Sequence, residues 1–418
     1  MSAIAIRSFI DQPQEKIDQA AKVMLVLSLF WMPISTAATN VFMGLTLIAW
    51  LLSGGFRARW DALRGNLFAY ATLALFLMMC GGSLWSTGTR EDILFQLHKY
   101  AKLLFMLPAI TLMQEEKWRN RGLAAFGIAM LITLTLSLTS VVWPLSIVKG
   151  TADGTSNNHY VFRDYIAQNL MMSFFALVVA TKWQFESVKA RQIIWLAFAL
   201  LSLIDILFFV QGRTGYVSLA FNAAIFIVFL SSARQRIMAL LICVMLTLLA
   251  FQHSSHLKSR INSAITEYQE QDEKKLSSVG QRLEFMKKGA YLIQERPVFG
   301  FGTGSYQKEF CRVADTREWC IAGGFHPHNQ FIAFGVQLGL VGILAYLMYL
   351  GIAVWQALKL ENGSRILGVG IIATLLADSI FHAPLFLVAE AAFFILILPL
   401  FMAIGTGSSH AAKRQAAA

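Results

Sequence analysis

The sequence predicts an all-α polytopic membrane protein with about twelve transmembrane helices and one long outward-facing loop, on three observations. The first is composition: of 418 residues, 56% are hydrophobic and 14% charged, and the mean hydropathy is +0.58. Those values are too apolar for an ordinary soluble domain. The second is arrangement, because the apolar residues fall in blocks near the roughly 20 that span a bilayer core. The third is charge, because Lys and Arg crowd into alternate loops.

Spans are predicted at 22–36, 38–53, 66–84, 98–113, 121–143, 165–182, 192–210, 214–231, 235–252, 329–357, 363–382 and 385–404. Cys80 and Cys243 fall inside spans, where small buried cysteines are ordinary. The opening stretch mixes Arg7, Asp11, Glu15, Lys16 and Asp18 and has no small-residue cleavage site after a short apolar core, so it is not read as a cleaved signal. The short loops with Arg57, Arg59 and Arg64, with Lys117, Arg119 and Arg121, with Lys182, Lys189 and Arg191, and then with Arg234 and Arg236, Lys359 and Arg365, and Lys413 and Arg414 all alternate onto one side. Basic residues resist translocation, so that side and both termini are cytoplasmic and the remaining loops face outward. The same residues account for much of the net charge of +11, which removes the argument for a nucleic-acid partner. No fixed-period repeat is visible, so a solenoid or an obvious repeat-built transporter has no support.

The chain therefore divides into helices 1–9 (residues 1–252), an outer loop domain (253–328), and helices 10–12 with a cytoplasmic tail (329–418). Loops as long as the middle section are usually functional. Its first part, Ser259–Leu276, carries mixed charge and reads as a solvated surface helix; Glu270 and Asp272, formally an acid pair for a cation, belong to that run. A serine cap at Ser277 or Ser278 then precedes a helical run, Leu283–Gln294, which Pro297 ends. Gly300, Gly302 and Gly304 follow at alternate positions and suit a tight turn against the membrane or a ligand; with no parallel-sheet unit before them they are not a nucleotide fingerprint. Cys311 and Cys320 are expected to pair in an oxidising compartment, two free thiols being the alternative.

Three outer-face residues carry candidate chemistry. Arg213, in Gly212-Arg213-Thr214-Gly215 between two spans, is costly near lipid without a partner. Arg282 opens the loop helix, and two guanidinium groups from separate segments could grip a diphosphate. His328, in Phe325-His326-Pro327-His328-Asn329, stands where the chain returns to the membrane and can take a proton from a hydroxyl. Each has a plainer reading. Arg213 can snorkel to the interface. Arg282 can be one more solvated charge. His326 and His328 can bond backbone at a helix start, or bind a metal as a pair, although the local sequence lacks further ligands.

The segments Gly212–Gly215, Gly280-Gln281-Arg282, Pro297–Gly304 and Pro327-His328-Asn329, in that order, resemble the O-antigen ligase family of bacterial inner membranes. The family's pattern of His followed by Asn, Ser or Gln, nine residues, Gly, two residues, then Gly, Thr or Tyr is matched by His328-Asn329, Gln330–Leu338 and Gly339–Gly342. The resemblance implies a fold like the GT-C-type membrane glycosyltransferases and transfer of polysaccharide from undecaprenyl diphosphate to lipid A-core on the periplasmic face. It assigns His328 as base on the acceptor hydroxyl, Arg213 and Arg282 to the donor diphosphate, and Asn329 and Asp378 to the substrate site; pairing with an arginine is the alternative role for Asp378. It implies direct displacement with inversion, no metal, no cofactor and no nucleotide sugar. The implied partners are the lipid-linked polymer, lipid A-core and membrane lipids. An O-antigen polymerase or a protein-glycosylating enzyme would share the donor. A lipid-linked sugar transporter would use the arginines without catalysis, but should place polar groups near the midplane.

Overall fold

The computed structural model describes residues 3–143, 145–149, 158–210, 212–230, 232–253 and 278–403, and among these the regular structure is helical throughout. The charged helix expected at 259–276, the candidate cap Ser277 and the tail residues Lys413 and Arg414 lie outside the described residues. The helices are α1 (Ala3–Trp31), α2 (Thr36–Leu52), α3 (Phe56–Arg64), α4 (Leu67–Gly82), α5 (Arg90–Ala101), α6 (Met106–Leu112), α7 (Glu116–Val142), α8 (Tyr165–Phe185), α9 (Lys189–Ile204), α10 (Arg213–Val228), α11 (Ala233–His253), α12 (Ser278–Glu295), α13 (Tyr306–Val313), α14 (Arg317–Gly323), α15 (Gln330–Leu358), α16 (Asn362–Phe381) and α17 (Val388–Met402).

Each of the twelve predicted segments overlaps helix in its described residues. Among the described residues, seven stretches are long and apolar enough to cross a membrane, and α2 with α3, bent by 112°, makes an eighth if taken as one broken span. The first predicted span is displaced. Helix α1 ends at Trp31 rather than 36, because Pro33 lacks an amide donor and Ser35 starts α2 by accepting from Ala38 N at 3.3 Å. Gly54 and Gly55, with φ of 68° and 67°, turn the chain from α2 into α3. Helix α3 buries nothing and exposes Phe56 and Trp60 beside its three arginines, the pattern of a helix lying in the membrane interface. Around it Arg59 pairs with Asp18 (2.9 Å) and Lys22 with Glu115 (2.7 Å), so the ends of three segments assigned to one side do meet.

Two helices form the centre. In α8, 78% of the most apolar window is buried, against 22% for the peripheral stretch Lys189–Phe209. Helix α17 is buried from Glu390 to Met402 and packs among α6, α7, α15 and α16. At 1.5 Å per residue it covers only roughly 22 Å, short of a bilayer core of about 30 Å. Enclosure by protein is what allows it to carry Glu390 in an otherwise apolar run. Polar clamps hold the neighbours of α8: Ser173 meets Ser218 at 2.6 Å, and Asn222 donates to Thr374 at 3.0 Å.

The described part of the long loop has a small core of its own, in which Phe285, Tyr306 and Phe310 pack with Val336 of α15. A disulfide joins Cys311 of α13 to Cys320 of α14. The three glycines resolve as a seam between loop and membrane helices. Gly300, Gly302 and Gly304 all have positive φ (63°, 91° and 82°), and a Cβ on Gly302 would lie 2.2 Å from Ser86 Cα. Opposite them α15 breaks at Gly339 (φ 65°, ψ −158°). The break frees Val336 and Gln337 carbonyls, which accept from Phe301 N (2.9 Å) and Gly302 N (2.8 Å), while Leu340 N donates back to Pro297 O (2.7 Å). The glycines thus bring backbone against backbone, and no ligand is needed to explain them.

Candidate active site

The site is built where the long loop returns to α15. Asn329 caps α15 by accepting from Ile332 N (2.9 Å) and donates to Ile380 O (2.9 Å), tying the start of α15 to the end of α16. Just before it, His328 adopts φ 49°, a left-handed conformation that costs a non-glycine residue energy and recurs at functional sites. Its backbone N–H donates to His326 Nδ1 (3.2 Å), its ring stacks on Phe285 with centroids 5.8 Å apart, and the two imidazoles lie 4.0 Å apart. The His328 Nδ1 is buried and has no hydrogen-bond partner among the described residues. Burial, reinforced by His382, Arg282 and Lys99, pushes His326 down to about 4. Burial, reinforced by His326, His382 and Arg282, pushes His328 down to about 2. Both rings are neutral at neutral pH.

Beside them runs a chain of three side chains from two elements. Arg282, in the second turn of α12, places Nη2 3.3 Å from His382 Nε2, and His382 Nδ1 lies 2.9 Å from Asp378 Oδ1. Asp378 is buried, and its Oδ2 has no partner among the described residues. A carboxylate on one nitrogen fixes the proton at Nδ1, leaving the Nε2 lone pair to accept from the guanidinium. Thr214 Oγ1 stands 3.5 Å from the same imidazole, which brings the Arg213 segment alongside. Arg213 itself is the first residue of α10 and is half-buried. That helix approaches closely because Gly212 and Gly215 face Asn169, where a Cβ on Gly215 would lie 2.4 Å from Asn169 Cβ.

His328, Arg282 and Asp378 therefore converge, with Arg213 one residue from contact, while Cys311 and Cys320 hold the loop. His326, His328 and His382 open onto a cavity of about 500 Å³, whose other lining residues include Arg163, Asp164 and Glu390. Among the described residues, no group of three or more His, Cys, Asp or Glu is arranged to hold a metal ion.

Three of these residues were not singled out from the sequence. His382 stands four residues after Asp378, one helical turn away on the same face, a spacing that couples the two. Glu390 is an acid within a predicted span, itself a signal of function. Arg163 is a basic residue in a loop assigned to the outer side, against the prevailing charge bias.

A family model described as O-Antigen ligase matches residues 196–347, a stretch that holds Arg213, Arg282, His328 and the Gly339 break but ends before Asp378 and His382. A search of curated proteins found no match.

Proposed function

We propose that the chain, whose residues 196–347 match the O-antigen ligase family model, is a ligase moving polysaccharide from undecaprenyl diphosphate to lipid A-core at the periplasmic face of the bacterial inner membrane. The observation that carries this reading is the contact chain from Arg282 through His382 to Asp378, with His382 beside His328 and both histidines lining one cavity. In the mechanism, Arg213 and Arg282 hold the donor diphosphate, and the Asp378–His382 pair orients the Arg282 guanidinium. The acceptor oxygen attacks the anomeric carbon opposite the diphosphate as His328 takes its proton, the carbon–phosphate-oxygen bond breaks, and undecaprenyl diphosphate leaves with the bonding electrons. One direct displacement inverts the anomeric centre. Two guanidinium groups neutralise the leaving charge, so no metal or cofactor is required.

A neutral imidazole with so low a proton affinity is a weak base in the empty site. The diphosphate adds negative charge beside it, which favours the imidazolium and raises that affinity when substrate is present. Asn329 serves this site by fixing the start of α15. Residues 253–328 act as one outer domain between membrane portions 1–252 and 329–418, with the disulfide keeping its tip folded.

Deleting the gene tests the reading. Ligase loss leaves bare lipid A-core and polymer stranded on undecaprenyl diphosphate. Core capped by a single repeat would mean a polymerase, and unchanged core with polymer trapped on the cytoplasmic side would mean a transporter.

A further inference from the structure

The cavity has a side that the donor mechanism does not use. Arg213 and Arg282 are not among its lining residues, whereas Arg163, Asp164 and Glu390 are. Glu390, in the first turn of α17, is only 6% exposed. No other residue hydrogen-bonds its carboxylate, and no cation lies within salt-bridge distance, among the described residues. Its own backbone amide is its hydrogen-bond partner, which leaves carboxyl lone pairs facing the cavity for a ligand that supplies further hydrogen bonds. Arg163 is also buried, and its guanidinium is fixed by Met32 O (Nε, 3.0 Å) and by Thr36 Oγ1. Asp164 Oδ1 accepts from Ile166 N and Ala167 N, both 3.0 Å, so this wall is rigid.

We propose that this cavity is a second sugar subsite, which receives the terminal ring of the glycan acceptor and holds its hydroxyls with Glu390 and Arg163. The inference rests on the ligase reading above. The two acidic side chains offset Lys149 and Arg163, so the lining holds no marked excess of positive charge for a diphosphate, while one acceptor and one donor side chain match the paired donor and acceptor character of sugar hydroxyls. Phe162, Leu387 and Val388 add apolar surface for a ring face. The volume of about 500 Å³ falls in the roughly 300–1,000 Å³ range of small-ligand sites. The arrangement also sets the order of groups: Arg282 meets His382 from outside the cavity lining, and the histidines open into it, so they stand between donor and acceptor.

The test uses the purified full-length protein with lipid-linked donor and lipid A-core, each varied in turn. Glu390→Gln keeps the shape and turns one acceptor oxygen into a donor. It is expected to raise the acceptor KM about tenfold with the donor KM unchanged, the effect of losing a hydrogen bond. Ala389→Phe, which fills the cavity from a neighbouring position, is expected to do the same if Glu390→Gln cannot be recovered folded. An unchanged acceptor KM in the recoverable variant overturns the subsite. A wild-type protein that transfers nothing to lipid A-core overturns the ligase reading instead. The cavity is then probed by alkylating Val388→Cys in a Cys80→Ser, Cys243→Ser background with free core oligosaccharide. Slower alkylation with the oligosaccharide supports a sugar subsite, and an unchanged rate overturns it.

Discussion

His382 Nε2 lies 3.3 Å from Arg282 Nη2 across one hundred residues of sequence, and its other nitrogen is held by Asp378 at 2.9 Å. The imidazole is thus the physical link between the outer loop and the end of α16. If it positions the guanidinium that grips the donor, His382→Ala raises the donor KM about tenfold while the acceptor KM stays put. Asp378→Asn is expected to act the same way and more weakly, since the amide oxygen still accepts from Nδ1–H. Equal rises in both KM values would mean that His382 is structural only.

The arginines themselves are tested by charge-preserving changes. Lysine keeps the charge of Arg213 or Arg282 and loses the planar fork. Each single Lys variant is expected to insert normally and lose at least about tenfold in kcat/KM for the lipid-linked donor, the scale of one hydrogen bond to a charged group. Full activity in both would return them to snorkelling and solvated charge.

The helical membrane class was legible because a bilayer demands about 20 apolar residues per crossing, a signal local in sequence. The break of α15 was not, since nothing near Gly339 shows that its freed carbonyls are taken up by Phe301 and Gly302. Arg213 and His328 were legible as charge or imidazole at span ends, and Arg282 as charge at the start of the loop helix. The Arg282–His382 contact was not, because it depends on how the loop folds back. Glu390 stood in view as an acid within a predicted span, but only the enclosure of α17 by protein turns it into a cavity residue.

The seam between loop and membrane helices makes its own prediction. Gly302 has φ 91° and no room for a Cβ beside Ser86, so Gly302→Ala meets both backbone strain and a backbone clash. A loss of roughly 2–4 kcal/mol is expected, read as a lower midpoint of thermal unfolding in detergent. Gly44→Ala, at a glycine with nothing within 4 Å of an added Cβ, is the control and is expected to be neutral.

Acid is expected to destabilise the site. His326 and His328 have their folded values depressed, to about 4 and about 2, from about 6.5 in the unfolded chain. As pH falls below about 6.5, the unfolded chain binds protons that the folded one does not, so stability is present above that value and is lost progressively on acidification. Thermal midpoints measured from about pH 7 down to about pH 5 are expected to fall, and the fall is expected to be shallower in His326→Gln and in His328→Gln. Identical slopes in wild type and both variants would mean that the rings are not buried in neutral form.

The last expectation concerns the proton itself. His328 lines the cavity and its ring is clamped between Phe285 and His326, so an acceptor hydroxyl entering the cavity meets a positioned imidazole. Glutamine offers hydrogen bonds but cannot accept a proton at neutral pH. Positioned general-base catalysis contributes about 10²–10⁴-fold. His328→Gln is therefore expected to lower kcat on that scale while donor binding survives. His326→Gln is expected to cost far less, because its role here is to accept the His328 amide, which a glutamine oxygen can also do. The assay uses purified protein, lipid-linked donor and lipid A-core, with and without chelator. Normal turnover by His328→Gln would remove the base assignment, and loss of wild-type activity with chelator alone would remove the metal-independent mechanism.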